Sequence, residues 1–367
     1  MSAPRESALT IAHVDAEPGF SGGEVQVFLL LEGLRRRGHR AVLLCPPGSG
    51  SEERGRAEGF DVRTVPMRGD LDLVAVQRLA VELGQTRPDL VHLHTGRATW
   101  LGGLAARWRG LPAITTRRQD KRVRRGWKSR LVYADLVRRA VAISPAVGRR
   151  LEEAGVAPER VRLIPSSVDP EALRPVRARA EVRAELGLGA GEPAVLVLAA
   201  LVRRKGIDVL LEALAAQREE PALLVAGDGP EREALRARAE RLGLRRVRFL
   251  GHRSDKAELL AACDVFALPS RLEGLGVAAL EAMAAGRPVL ATRVGGLAEA
   301  VADGETGLLV PADDSAALAA ALGRLLADGP LRERLGRAGP ARGRAGVSAD
   351  GMVDAYEALY REVLGGR

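Results

Sequence analysis

Residues 267–292 read ALPSRLEGLGVAALEAMAAGRPVLAT. The stretch closes one short apolar run, turns on Gly274 and Gly276, continues as an alanine-rich helical segment and opens a second apolar run. Strand, helix, strand in that order is the unit of a parallel sheet covered by helices, with ligands bound where the strands end. Two acids do not fit the packing pattern. Val277, Ala278, Leu280, Met283 and Ala284 suffice for a helix that only covers a sheet, yet Glu281 falls among them and Glu273 sits on the turn before it.

The same order runs along most of the chain. LTIAHV, a helix near Glu24 to Arg37, AVLLC, DVRTV, a helix from Asp72, DLVHLH, a helix from Ala98, PAITT and AVAIS form a first series. Proline, glycine and charge then replace strand-like runs from VRLIPSSVDPEALRP to Gly191, which puts a boundary near residues 165–192. PAVLVLAAL, ALLVAGDG, VRFLG, DVFALPS, RPVLAT and TGLLV form a second series. The expected fold class is α/β, with two facing Rossmann-like doubly wound domains and a cleft between them. We expect domains at 1–175 and 176–345. A helix within 346–367 carries Met352, Val353, Tyr356, Leu359, Tyr360 and Val363 at helical spacing, and should pack back toward the N-terminal domain.

Composition narrows the classes of function. At 367 residues the chain can bury two cores. No run reaches the eighteen apolar residues of a membrane span and the N-terminus lacks a signal-peptide pattern, so the expectation is a cytoplasmic protein. Cys45 and Cys263 are far apart and read as buried hydrophobes in a reducing compartment. The net charge of +9 invites a nucleic-acid reading, but it is carried mostly by arginines spread over the chain, and aromatic residues are too few for stacking platforms. One stretch stands apart: RRQDKRVRRGWKSR, Arg117 to Arg130, has eight basic residues opposed only by Asp120, with Trp127 among them.

The turn SRLEGLG lies at the ligand-bearing edge of its sheet. Free N–H groups at the helix start favour an anion, usually phosphate. Carboxylates repel phosphate, so Glu273 and Glu281 make sense there only if they flank it and accept hydrogen bonds from hydroxyls on either side. A nucleotide sugar has that layout of ribose, diphosphate and sugar. The competing reading makes Glu273 a favourable N-terminal helix charge and Glu281 a solvated side chain.

The segment resembles the core motif of the family 4 glycosyltransferases, retaining enzymes of the two-domain GT-B fold. Their pattern is a Glu, seven residues and a second Glu in an EG…EAMA.G.PV context, matched by Glu273, Gly274, Glu281, Ala282, Met283, Ala284, Gly286, Pro288 and Val289. The resemblance extends to Gly22–Gly23, Lys205–Gly206, AGDGPER with Gly229, GHRS with Arg253, and VGGLAE. It implies an N-terminal acceptor domain and a C-terminal donor domain. Glu273 would contact hydroxyls of the donor sugar and Glu281 the ribose. Gly22, Gly23, Gly274, Leu275 and Gly276 would bring backbone to the donor, and Lys205 would bring positive charge to the diphosphate.

This sequence departs from the family pattern in two places. The arginine common five residues before the lysine is Ala200, which leaves Arg203 or Arg204 as its replacement. A histidine often found near the reacting sugar is replaced by arginine, with Arg118 at or next to that position. His92 and His94 alternate in DLVHLH, from which we expect only one, His94, to reach the cleft, with a packed, hydrogen-bonded histidine as the alternative. Asp70 to Asp72 (DLD) should cap a helix and not bind a metal.

The sequence reading is thus a retaining, metal-independent glycosyltransferase with no cofactor. It would move a hexose-type sugar from a nucleotide diphosphate sugar to a hydroxyl of an anionic saccharide, cell-envelope or lipid-linked. Glu273, His94 and Arg118 are the expected catalytic-site residues. Arg117, Lys121, Arg122, Arg124 and Arg125 would meet the acceptor or an anionic membrane surface at the inner face of the cytoplasmic membrane. No nucleic-acid partner is expected. The alternative is a non-catalytic carbohydrate- or polyanion-binding protein on a degenerate GT-B scaffold.

Overall fold

The computed structural model describes residues 8–20, 22–120, 126–189, 191–345 and 348–365. The chain forms two compact units, Met1–Ser166 with Ala349–Arg367, and Ser167–Ser348. Each is a parallel sheet with helices between successive strands, so the fold class is α/β with two Rossmann-like domains. Among the described residues no helix is long and apolar enough to cross a membrane.

The first unit has seven strands: β1 Thr10–Val14, β2 Arg40–Cys45, β3 Asp61–Thr64, β4 Leu90–Leu93, β5 Ala113–Arg117, β6 Arg139–Ala142 and β7 Val161–Leu163. Their spatial order is β3-β2-β1-β4-β5-β6-β7, all parallel. The chain therefore reverses direction across the sheet between β1 and β4. The inner strands are buried and read as nearly unbroken apolar runs, as strands covered on both faces must. β7 lies in the segment expected to lack strands. It is a three-residue edge strand, only partly buried and followed by Pro165, too short and too exposed to show in the apolar pattern.

The second unit contains β8 Ala194–Leu198, β9 Ala222–Ala226, β10 Val247–Gly251, β11 Val265–Leu268, β12 Val289–Thr292 and β13 Gly307–Val310, ordered β10-β9-β8-β11-β12-β13. Here the reversal falls between β8 and β11. In an open parallel sheet such a point opens a crevice at the carboxyl ends of its strands. Lys205 follows β8, and Glu273 follows β11.

The division falls at Ser166–Ser167, ahead of the expected residue 175. Residues 167–176 belong to the second unit because Leu173 is buried and the Val176 N–H donates to Glu258 Oε1 at 3.2 Å. The closing helix, Ala349–Gly365, belongs to the first unit and buries Met352, Val353, Tyr356, Leu359, Tyr360 and Val363. Asp72 caps the helix Leu73–Thr86 by accepting from the Ala75 N–H.

Candidate functional site

In the second unit the chain leaves β11 at Leu268 and enters the helix Val277–Ala284 through Gly276, whose φ of 79° is left-handed. A Cβ at Gly276 would also lie 2.6 Å from Leu297 Cδ1, so both backbone and space require glycine. Gly274 and Leu275 are buried beside it. The turn holds Glu273 with its Oε2 accepting from Lys205 Nζ at 2.7 Å and from Ser270 Oγ at 3.0 Å. Both members of the ion pair are 12% exposed, so their attraction is only partly screened.

Lys205 reaches that position from a short 3₁₀ turn, Arg203–Lys205, which ends at Gly206. Gly206 has a φ of 64° and packs so tightly that a Cβ would meet the Pro269 carbonyl oxygen at 2.0 Å. The β8 and β11 loops are thereby fastened together. Arg271 adds a second fastening that the sequence reading missed. Its N–H donates to Arg204 O at 2.8 Å, and its guanidinium to Arg203 O at 2.7 Å and to both oxygens of Asp208 at 2.8 and 2.7 Å. The bonds to Asp208, with one from Arg271 Nε to Asp313 Oδ1 at 2.5 Å, push the Arg271 pKa upward and fix its charge. Arg203 and Arg204 are exposed.

Glu281, the fifth residue of its helix, is bonded through Oε1 to Lys256 Nζ at 2.5 Å. Lys256 starts the helix Lys256–Ala262 that follows β10, and it too escaped the sequence reading. Each of the two motif carboxylates therefore faces its own ammonium. Arg253 is otherwise engaged: it donates to Asp255 at 2.7 and 2.5 Å and to Glu185 at 3.2 Å. Gly229 lies in the loop after β9, its backbone against that of Leu201.

In the first unit Gly22 and Gly23 open the helix Gly22–Arg36, and a Cβ at Gly22 would meet nothing within 4 Å among the described residues. Packing therefore gives no reason for that glycine. The expectation that only one of His92 and His94 can face the cleft rests on a wrong strand period. Residues two apart on a strand point to the same side, and the two rings lie 4.0 Å apart. His13, paired in register with His92, joins them, its ring stacked 5.2 Å from that of His94.

The hydrogen bonds of this cluster fix its protons. Arg118, which can only donate, gives Nη1 and Nη2 to His94 Nδ1 at 3.3 Å each. His94 must then carry its proton on Nε2 and donate to His13 Nδ1 at 2.9 Å. His13 is left with a buried Nε2–H that has no partner among the described residues. His92 bonds Tyr360 Oη at 2.8 Å and Thr116 Oγ1 at 2.7 Å, and Thr116 bonds Tyr356 Oη at 2.9 Å. Burial, with Arg118 adding to it, lowers the His13 pKa to about 3. His94 is lowered well below its usual value by burial, then His92 and Arg118, and His92 by burial, then His13 and Arg118.

Ligand atoms of the three histidines lie within 4.8 Å of one another, a grouping the expectation of no metal-binding cluster did not foresee. Four of their six nitrogens are committed to the bonds above and a fifth accepts from a guanidinium. No carboxylate belongs to the grouping. That commitment suits a hydrogen-bonded polar network, open only at His13 Nε2, better than a cation. Asp15, just past β1, was also missed. It is fully buried, accepts from Ser51 Oγ at 2.8 Å, and has its pKa pushed up to about 6, first by burial and then by Glu24.

Arg117 donates to Tyr133 Oη at 3.5 Å, while Arg118 has no carboxylate partner among the described residues. Lys121, Arg122, Arg124 and Arg125 lie outside the described residues. Trp127 is 76% exposed. A cavity of about 470 Å³ occurs where β5 and β6 begin, lined in part by Arg107, Arg138 and Glu362, at the opposite edge of the first sheet from His94 and Arg118.

Comparison with known proteins adds independent findings. Residues 178–342 match the family described as Glycosyl transferases group 1, and residues 20–172 match Glycosyltransferase Family 4. The chain is 36% identical over 350 residues to a D-inositol 3-phosphate glycosyltransferase of Nocardia farcinica, covering 85% of this chain and 76% of that one. It is 31% identical over 344 residues to the lipopolysaccharide core biosynthesis glycosyltransferase LpsE of Rhizobium meliloti, covering 92% and 95%. Among solved structures, Anabaena Alr3699/HepE in complex with UDP and glucose superposes with a TM-score of 0.87 at 22% identity, over 96% of this chain and all of that one. WaaG, a glycosyltransferase involved in lipopolysaccharide biosynthesis, superposes with a TM-score of 0.74 over 97% of this chain.

Proposed function

We propose, from the premise that this chain belongs to the family 4 glycosyltransferases and is a glycosyltransferase of GT-B type, that it is a retaining, metal-independent enzyme using a nucleotide diphosphate sugar. The observation that carries this reading is the pair of motif carboxylates at the second unit's carboxyl edge, each opposite a lysine. Glu273 accepts from hydroxyls of the donor sugar and Glu281 from those of the ribose. The diphosphate lies between them, against the backbone of Gly274 to Gly276 and the Lys205 ammonium.

In the transfer, the bond from the anomeric carbon to the phosphate oxygen breaks while the acceptor oxygen bonds to the same face of that carbon. The acceptor proton passes to a phosphate oxygen of the leaving group. Lys205 stabilises the charge that develops there, an electrostatic role that needs water excluded to be large. Glu273 orients the sugar and forms no covalent bond. Two carboxylates matched by two ammonium groups leave little negative charge to hold a divalent cation, which supports metal independence.

The acceptor is an anionic saccharide of the cell envelope, lipid-linked and reached from the cytoplasmic membrane surface. Arg118, a partly buried guanidinium with no carboxylate partner among the described residues, supports an anionic group, as do relatives acting on inositol phosphate and lipopolysaccharide core. Exposed Trp127 beside the arginine-rich segment supports the membrane contact. Transfer assays with UDP-, GDP- and ADP-hexoses, against phosphorylated and unphosphorylated saccharides, test the reading. It predicts that one donor class is used and that removing the acceptor's anionic group reduces transfer. The Arg118→Ser variant should lose that preference.

A further inference from the structure

Glu281 carries two oxygens in unlike situations. Oε1 is bound by Lys256 Nζ at 2.5 Å, and Oε2 has no hydrogen-bond partner among the described residues. The Glu281 side chain is 15% exposed and that of Lys256 34%. The carboxylate is therefore held from one side and open on the other.

Lys256 is one of four lysines in a chain whose cations are otherwise arginine. Its neighbour Asp255 is not available to it in the same way, because Arg253 and Arg177 already occupy that carboxylate. An ammonium supplies a compact point charge and needs only one acceptor, where a guanidinium would tend to take both oxygens of a carboxylate in a fork. A lysine here secures Glu281 without closing its second oxygen.

We infer that Lys256 is a positioning residue of the donor site: it fixes one oxygen of Glu281 and so presents the other to the ribose 2′- and 3′-hydroxyls of a nucleoside diphosphate. The inference rests on the donor reading above, in which Glu281 meets the ribose. Lys256 itself touches neither base nor phosphate in this arrangement.

The test uses the full chain and calorimetric titration with UDP, GDP and ADP, each compared with its 2′,3′-dideoxy form. Wild type should bind the ribo form of its preferred nucleotide roughly tenfold or more tightly than the dideoxy form, the size expected for hydrogen bonds to a charged group. In Lys256→Met that ratio should fall to roughly threefold or less, with dideoxy binding almost unchanged, and Lys256→Arg should not restore it, because a guanidinium fork would occupy both oxygens of Glu281. A Lys256→Met protein that keeps the full ratio overturns the inference, whether its overall affinity is normal or weakened for both forms alike. Should that variant fail to fold, Lys256→Gln reads the same ratio. Glu281→Gln separates the two levels of the argument. If it abolishes the ratio while Lys256 variants keep it, only the role of Lys256 fails. If Glu281→Gln keeps it, or no diphosphate binds wild type, the donor reading fails and takes this inference with it.

Discussion

Lys205 Nζ lies 2.7 Å from Glu273 Oε2, across two loops that leave neighbouring strands of the second sheet. The cation assigned to the diphosphate and the carboxylate assigned to the sugar hold each other, so a donor must part or share them. Their substitution should therefore have different signatures. Lys205→Met is expected to weaken nucleoside diphosphate binding by about tenfold, the cost of losing one charge-assisted contact. Glu273→Gln should leave that affinity within about threefold and lower turnover of the complete sugar nucleotide by roughly a hundredfold. Calorimetry and steady-state kinetics on both variants check this. Identical signatures would contradict the assignment.

The buried histidines make stability depend on pH. His13 has its pKa lowered from 6.5 to about 3, so below pH 6.5 the unfolded chain takes up a proton that the folded one refuses. Stability is lost as pH falls through that window, by about 1.4 kcal/mol per unit for one proton. Asp15 acts in the opposite sense. Its folded pKa near 6, above the usual 3.8, means that stability is lost as pH rises between those values. Urea unfolding should show the advantage of wild type over His13→Gln shrinking from pH 7 to pH 5. The Asp15→Asn protein should gain on wild type from pH 4 to pH 7.

The closing helix fastens the histidines from the other side. Tyr360→Phe leaves His92 Nδ1 without its 2.8 Å partner and should cost about 1–2 kcal/mol in urea unfolding. Tyr356→Phe should cost less, because Thr116 keeps its bond to His92.

Chelation should leave turnover unchanged, because Glu273 and Glu281 are each paired with an ammonium. Activity assayed after dialysis against EDTA checks this. Loss of activity restored by magnesium or manganese would contradict it.

Much of the fold was legible because each inner strand is a short apolar run bounded by glycine, proline or charge. PAVLVLAAL and RPVLAT need no partner to be recognised. β7 was not legible: three residues at a sheet edge bury too little to leave a pattern. Glu273, Glu281 and Lys205 could be picked out by motif and spacing, and the fold brings Glu273 and Lys205 together. Lys256, Arg271 and Asp15 could not, since each acquires its role from a residue distant in sequence. The reading of His92 and His94 failed for a different reason, a misapplied strand period that correct counting would have avoided. Glu185 and Asp255 explain why Arg253 is engaged elsewhere, and no local pattern announces that network.

The most direct test of the central claim is release of nucleoside diphosphate from UDP-, GDP- and ADP-hexoses in the presence of a phosphorylated saccharide, with the anomeric configuration of the product read by NMR. The account predicts release from one nucleotide class, a product that keeps the donor's configuration, and loss of both signals in Glu273→Ala. Inverted product, or equal release by wild type and Glu273→Ala, would contradict it.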